Sequence, residues 1–121
     1  MKHIEDNEQI MLFDWAQAQS GKHPELGLLH HIPNGGKRDA REAARFKRMG
    51  VKAGVPDICF PLPRVGYHGL YIEMKSPKGK VSENQKRWLE QLSGLGCAVR
   101  VCYSFDEARD VVLKYLRGET L

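Results

Sequence analysis

Two neighbouring stretches of sequence decide the fold: GVPDICF at residues 54–60 and LYIEMK at residues 70–75. Both are rich in Ile, Phe, Leu and Tyr, side chains that favour β-strands. Residues 63–69, between them, include one proline and two glycines, which favour turns. We therefore predict two strands, over residues 56–62 and 70–75, that pair antiparallel as a hairpin.

Four helices are predicted around this hairpin. In residues 4–19 the apolar side chains form a stripe with three-to-four-residue spacing, made of Ile4, Met11, Leu12, Trp15 and Ala18. Capping pairs open the other three helices, and these pairs are Asp39 with Glu42, Ser82 with Gln85, and Ser104 with Glu107. The second helix is predicted over residues 40–49, and glycines at 94 and 96 end the third.

Two further apolar runs, residues 26–32 and 97–103, are predicted to be strands. The predicted element order is then αβαββαβα. Strands that alternate with helices, with one hairpin in the middle, imply an α/β fold in which helices flank a mixed β-sheet. At 121 residues the chain has the length of one domain, which we assign to residues 1–121.

Positive charge is concentrated in two parts of the chain. The formal net charge is +4, but residues 37–52 carry +5 and residues 75–87 carry +4, so the remainder sums to −5. Clustered basic residues are typical of surfaces that bind a phosphate backbone. The three cysteines match neither a zinc motif nor a disulfide framework. Because the sequence has no bilayer-length apolar run and no secretory signal, we expect a soluble intracellular protein with no membrane partner.

Three charged side chains fall on the two hairpin strands. Glu73 and Lys75 project from the same face because side chains alternate along a strand, and antiparallel pairing brings Asp57 alongside them. Burying carboxylates without a partner is costly, and a divalent cation supplies that partner. Mg²⁺ is usually held by one or two carboxylates together with substrate phosphate. The three residues therefore predict metal-assisted hydrolysis of a phosphodiester.

The motifs around these residues resemble those of the PD-(D/E)XK nuclease superfamily and, within it, the VRR-NUC (virus-type replication-repair nuclease) family. The matching pieces, in chain order, are Glu8-Gln9, Asn34-Gly35-Gly36, Gly54-Val55-Pro56-Asp57-Ile58, Tyr71-Ile72-Glu73-Met74-Lys75 and Ser82-Glu83-Asn84-Gln85-Lys86-Arg87-Trp88-Leu89. The resemblance covers about residues 5–105. The αβββαβ order of that family is contained in the predicted order.

The resemblance implies a divalent cofactor, Mg²⁺ or Mn²⁺, and a role for each matching polar residue. The implied metal ligands are Asp57, Glu73, the main-chain carbonyl of Met74 and Glu8. Lys75 would be the catalytic lysine, and Gln85 would support the site from the third helix.

Several of these residues have alternative roles. Glu5 lies one helical turn from Glu8 and would reach the metal in its place, which leaves a helix-end salt bridge as the role of Glu8. For Gln85 the capping box is a second role, and the two are compatible. His30 and His31 adjoin on a predicted strand, so they face opposite sides and do not ligate one ion together.

Basic side chains and the glycine-rich turn before the second helix are predicted to contact DNA. The candidates are Asn34, Gly35, Gly36, Lys37, Arg38, Arg41, Lys78 and Lys80. The loop after the predicted strand at residues 70–75 carries both lysines, and it would border a bound phosphate. A solvated face is the alternative for the basic helix. Trp15 and Trp88 lie on apolar stripes and are predicted core residues rather than base-stacking platforms.

These features together predict a metal-dependent DNA endonuclease in the cytoplasm of a bacterium or a phage-infected host cell. A domain this small has little surface for selecting DNA, so we expect a symmetric homodimer that presents two active sites to one DNA molecule. Stand-alone members of the family resemble Holliday-junction resolvases, which makes branched DNA the expected substrate. The alternatives are a nuclease on other structured or linear DNA in phage replication, repair or restriction, a nucleic-acid-binding module that does not cut, and a domain that binds an acidic protein.

Overall fold

The computed structural model describes residues 2–33 and 39–121, so the predicted phosphate-binding turn at residues 34–38 lies outside the described residues. The described elements are α1 (Lys2–Gln19), the 3₁₀ helix Pro24–Leu28, β1 (His30–His31), α2 (Ala40–Arg48), β2 (Ile58–Phe60), β3 (Leu70–Met74), α3 (Glu83–Gly94), β4 (Ala98–Cys102) and α4 (Phe105–Leu116). The predicted order αβαββαβα is confirmed. Over the described residues, no helix combines the length and apolarity needed to cross a membrane.

The strands form one mixed sheet in the order β1-β2-β3-β4. β2 and β3 pair antiparallel as predicted, with Ile58 opposite Ile72. β4 lies parallel to β3 because α3 carries the chain back along the sheet between them. Continued by one residue beyond Ile58, the register of the hairpin places Asp57 beside Glu73 at the open end of the hairpin.

One face of the sheet is buried against α1 and α4. The side chains that share this core include Leu12, Ala16, Ile58, Phe60, Leu70, Ile72, Met74, Ala98, Cys102, Ala108, Val112 and Tyr115. Burying each large apolar side chain contributes about 1.5 to 3 kcal/mol. Because side chains alternate, Tyr71 and Glu73 of β3 point to the other face, on the side of the sheet away from this core.

The strand predicted over residues 26–32 is wrong over most of its length. The chain forms the 3₁₀ helix Pro24–Leu28 there, and only His30–His31 pair as a strand. Leu26 and Leu29 are buried while Leu28 is 48% exposed, which is the three-residue spacing of a 3₁₀ helix. A proline at the helix start favours this turn.

α1 begins two residues before its predicted start and ends where predicted, but it buries a narrower stripe than expected. Leu12 and Ala16 are buried in the core, whereas Ile4 is 45% and Met11 46% exposed. The face of α1 that packs on the core is therefore the one that carries Leu12 and Ala16. It is rotated by about one residue relative to the predicted apolar stripe.

Candidate active site

Asp57 is held between the strands on either side of it. Its Oδ2 accepts a hydrogen bond from the main-chain N–H of Met74 at 2.8 Å, which fixes the carboxylate against the end of β3. Its main-chain carbonyl accepts the Ile32 N–H at 2.7 Å and lies 2.8 Å from Nδ1 of His31. Contacts from two segments, the end of β3 and residues 31–32, therefore position Asp57.

Glu73 is the buried carboxylate of the site, with 2% of its surface exposed. Its Oε2 accepts a hydrogen bond from Nε2 of Gln85 at 3.1 Å, and Nζ of Lys75 lies 3.6 Å from the same oxygen. Its Oε1 is buried and has no hydrogen-bond partner among the described residues. A buried carboxylate oxygen without a partner is costly, so this atom marks a place for a cation or a proton.

The electrostatic interaction between Asp57 and Glu73 also favours a bound cation. Burial, together with the neighbouring Asp57 carboxylate, raises the pKa of Glu73 to about 8, and Lys75 opposes that rise. When both carboxylates are ionised, they carry more negative charge than the one lysine offsets. A divalent cation would stabilise both carboxylates in their ionised forms.

Gln85 combines the two roles that the sequence left open. Its main-chain N–H donates to Oγ of Ser82 at 3.2 Å, and its side-chain Oε1 accepts the Ser82 N–H at 2.9 Å, which completes the capping box of α3. With Oε1 occupied in this way, the amide nitrogen of the side chain points to Glu73. The helix cap thereby sets the orientation of the amide group in the site.

Lys75 lies on the same side of the sheet as Glu73, as predicted, and its side chain is 13% exposed. An ammonium group held 3.6 Å from a buried carboxylate is a donor with no acceptor capacity. It therefore contacts Glu73 while part of its side chain remains accessible to solvent.

A family model described as the VRR-NUC domain matches residues 5–106. The chain belongs to the VRR-NUC family. A solved structure titled "VRR_NUC domain protein" is 35% identical, with a TM-score of 0.82 over 96% of this chain and 90% of that one. A comparison with curated proteins finds no match. As a VRR-NUC domain the chain is a nuclease domain of the PD-(D/E)XK type, and the resemblance drawn from its motifs is confirmed.

The donor set of this VRR-NUC domain suits a hard divalent cation of the kind that such domains generally use. Asp57 and Glu73 supply carboxylate oxygens side by side, and the orphaned Oε1 of Glu73 provides a ligand atom that nothing else occupies in the described chain. Over residues 2–33 and 39–121, no three His, Cys, Asp or Glu side chains gather as a metal-binding group. Two carboxylates are nevertheless the usual protein contribution to a Mg²⁺ site, since the ion keeps several waters.

Among the described residues, Glu8 does not form a metal-binding group of three with Asp57 and Glu73. Its Oε1 instead accepts the main-chain N–H of Phe105 at 2.8 Å, at the first turn of α4. A carboxylate in this position satisfies an unpaired helix N–H and interacts favourably with the helix dipole. This contact is a helix-end interaction, but with α4 rather than within α1.

The predicted DNA contacts are only partly described. Arg41 is exposed on α2, and Lys78 and Lys80 are exposed on the loop between β3 and α3. The candidates Asn34, Gly35, Gly36, Lys37 and Arg38 lie outside the described residues. These three predicted DNA-contacting side chains are therefore open to solvent.

A contact between α3 and the loop before Asp57 is not predictable from the sequence motifs. Nε1 of Trp88 donates a hydrogen bond to the carbonyl of Ala53 at 3.0 Å. Gly54 lies against Asn84, so that a Cβ at position 54 would come within 2.9 Å of Asn84 atoms. Trp88 is half-buried, and its indole nitrogen has this structural partner. No local pattern relates residues 35 positions apart, so only the presence of a glycine before the Pro-Asp pair hinted at a close approach.

Proposed function

We propose that this VRR-NUC domain is a Mg²⁺- or Mn²⁺-dependent DNA endonuclease that hydrolyses phosphodiester bonds. One observation carries the proposal. Glu73 is 2% exposed, shares one oxygen between Gln85 and Lys75, and has a second buried oxygen with no hydrogen-bond partner in the part of the chain that is described. Such an arrangement costs folding free energy, and a bound cation would offset that cost.

In this proposal Asp57, Glu73 and the carbonyl of Met74 hold the metal, with Glu8 as a further candidate ligand. The bound ion would lower the pKa of a water molecule and offset negative charge on the scissile phosphate. Glu8 would have to leave the Phe105 amide to take part, because its Oε1 is hydrogen-bonded there.

Lys75 and Gln85 have different roles in the proposed reaction. The Lys75 ammonium would orient the attacking water or stabilise charge on the phosphate, since it is a donor that reaches the rim of the site. Gln85 holds Oε2 of Glu73 through Nε2 and thereby leaves Oε1 free for the cation. Asn34 to Arg38, Arg41, Lys78 and Lys80 would bind the DNA backbone.

We further propose that the enzyme acts on branched DNA as a symmetric homodimer. Two sites related by a two-fold axis would engage both strands of a junction, which a single small domain has little surface to do. A nuclease that prefers other structured or linear DNA, and a module that binds DNA without cutting it, are the outcomes that the experiment below distinguishes.

The test is cleavage of a panel of linear, flap, splayed and four-way DNA substrates by the purified protein in Mg²⁺, Mn²⁺ or EDTA. We expect cutting that needs the metal, favours the four-way DNA, and falls at least about 100-fold in Asp57→Ala and Lys75→Ala. Lys114→Ala is the matched control, because Lys114 is exposed on α4, across the sheet from the carboxylates. Cutting in EDTA, or full activity of the Asp57 variant, would contradict the mechanism.

The homodimer is tested separately by light scattering. We expect a mass of twice the 13.8 kDa of the chain at micromolar concentration. A mass equal to one chain for the free protein, and a protein mass of one chain in the complex with four-way DNA, would contradict the dimer. Such a result would leave the proposed cleavage chemistry unaffected.

A further inference from the structure

The first two turns of α3 contact Glu73 and the loop that precedes Asp57. Gln85 holds Glu73 directly, through the 3.1 Å hydrogen bond from its amide nitrogen. The other connection runs through Ala53, Gly54, Asn84 and Trp88, which we call the loop–helix contact. It consists of the Trp88 to Ala53 hydrogen bond of 3.0 Å and the close packing of Gly54 on Asn84.

The loop–helix contact acts on Asp57 because the connecting chain is short and restricted. Gly54 has a φ of +90°, a conformation that side chains other than glycine rarely adopt. Pro56 is fully buried and fixes its own φ, and Asp57 follows it immediately. With Ala53 held at one end and Pro56 at the other, little freedom remains in the backbone that presents the Asp57 carboxylate.

We propose that Trp88 is a positioning residue for the metal site. By holding Ala53 it contributes to the placement of Asp57, which Met74 and Ile32 also hold through hydrogen bonds. Gln85, three residues earlier on the same helix, holds Glu73. α3 therefore contributes to the spacing of the two carboxylates. This inference rests on the proposed function, since it assigns Trp88 to the metal site of the same enzyme.

Metal affinity is the property that such a residue controls. Mg²⁺ demands near-ideal octahedral geometry at about 2.0 to 2.1 Å, so a small displacement of one carboxylate weakens binding. Substituting residues that orient metal ligands typically costs about 10 to 100-fold in affinity or activity. A residue that only stabilised the fold would lower the melting temperature without moving the metal affinity.

The first experiment compares Trp88→Phe with Trp15→Phe. Mn²⁺ binding to the DNA-free protein is measured by electron paramagnetic resonance, and cleavage is measured against Mn²⁺ concentration. For Trp88→Phe we expect a roughly 10-fold higher Kd for Mn²⁺ and a matching shift of the half-saturating concentration, with kcat at saturating Mn²⁺ changed by less than about threefold. Trp15→Phe, on α1, keeps the wild-type Kd. Equal Mn²⁺ affinities in the two variants would overturn the proposal.

A second pair of variants leaves Trp88 in place. Gly54→Ala and Gly50→Ala both put a side chain at a positive φ, +90° and +103°, so both carry backbone strain. Only position 54 meets Asn84, and the space around position 50 is open. We expect Gly54→Ala to raise the Kd for Mn²⁺ by about 10-fold or more and Gly50→Ala to leave it within about twofold. The same Kd in both would also overturn the proposal.

The two proposals fail in different ways. If the wild-type protein binds Mn²⁺ and cuts DNA while all four variants keep its Kd, the role of Trp88 is wrong and the nuclease stands. If the wild-type protein neither binds Mn²⁺ nor cuts any DNA of the panel, the proposed function is wrong and the role of Trp88 falls with it.

Discussion

α2 and α3 begin in the same way and are used differently. Each helix has a capping side chain that accepts the N3 amide: Asp39 accepts from Glu42 at 2.8 Å, and Ser82 accepts from Gln85 at 3.2 Å. Beyond their caps the helices diverge. α3 bonds to Glu73 and to the loop before Asp57, whereas α2 has no buried side chain and a single half-buried one, Phe46.

The local sequence determines where both helices begin, whereas tertiary contacts determine which role each helix has. α3 contacts Glu73 through Gln85 and the loop before Asp57 through Trp88 and Asn84, so its geometry bears on the proposed metal site. α2 presents a basic last turn of Arg45, Lys47 and Arg48 to solvent. A helix that contributes little to the core and carries exposed positive charge is suited to contact a phosphate backbone.

The variant Glu73→Gln separates the role of Glu73 in cleavage from its effect on the stability of the protein. We expect cleavage to fall by about 10²- to 10³-fold, because a neutral amide binds a divalent cation poorly. We expect the metal-free variant to be more stable than the wild type at high pH, by on the order of 1 to 3 kcal/mol, since it removes a buried charge beside Asp57.

The pH dependence of that gain follows from the raised pKa of Glu73. Below about 4.5 the group is protonated in both folded and unfolded chains, so the two proteins lose no stability relative to each other. As pH rises from about 4.5 to about 8, the unfolded chain releases this proton more readily and the wild type loses stability. Urea unfolding in EDTA across this window measures the effect. Parallel stability curves for the two proteins would contradict it.

Gln85→Ala and Ser82→Ala separate the two roles of the α3 cap. Both remove a capping interaction, and each costs about 1 kcal/mol of stability. Only Gln85→Ala also frees Oε2 of Glu73, so we expect a 10- to 100-fold loss of cleavage there and less than about threefold for Ser82→Ala. Steady-state cleavage and thermal unfolding provide the two measurements. Equal activity losses would mean that the amide contact with Glu73 has no part in the reaction.

Arg41→Ala combined with Arg45→Ala tests the α2 side of the comparison. We expect DNA affinity to fall several-fold and the salt dependence of binding to flatten by about one to two phosphate contacts. Stability should change by less than about 0.5 kcal/mol, because both side chains are exposed. Affinity is measured by fluorescence anisotropy over a salt series. An unchanged salt slope would show that α2 does not contact the backbone.

Asp39→Ala is expected to give the smallest effect. Loss of its 2.8 Å cap should fray α2 locally, and amide hydrogen exchange in residues 40–48 should quicken. The global free energy of unfolding should change by less than about 0.5 kcal/mol, against about 1 kcal/mol for the equivalent Ser82→Ala. A loss as large as that of Ser82→Ala would show that α2 is as strongly coupled to the core as α3.

Local patterns in the sequence predicted the parts of the fold that local physics controls. The capping pairs at Asp39, Ser82 and Ser104 each appear as hydrogen bonds to the third helical residue. The hairpin appears in the predicted pairing, and its alternation correctly placed Glu73 and Lys75 on one face. These features involve residues within a few positions of each other or a single strand register.

Contacts between distant parts of the chain were not predictable in this way. Glu8 bonds to Phe105, 97 residues away, and Trp88 bonds to Ala53, 35 residues away. Both depend on how the helices pack on the sheet, which no local spacing encodes. The strand prediction at residues 26–29 was wrong for a related reason. A short run of leucines is compatible with a strand and with a 3₁₀ helix, and packing in the core determines which of the two forms.

The shallow packing of α2 has an evolutionary consequence. Substitutions on the exposed surface of α2 should change the free energy of unfolding little. Residues on that surface can therefore vary while the domain still folds. In the proposed enzyme, a change of DNA preference would then need substitutions in one helix only. A library randomised at residues 41, 45, 47 and 48 should yield mostly folded proteins, whereas one randomised at residues 84, 85 and 88 should yield few.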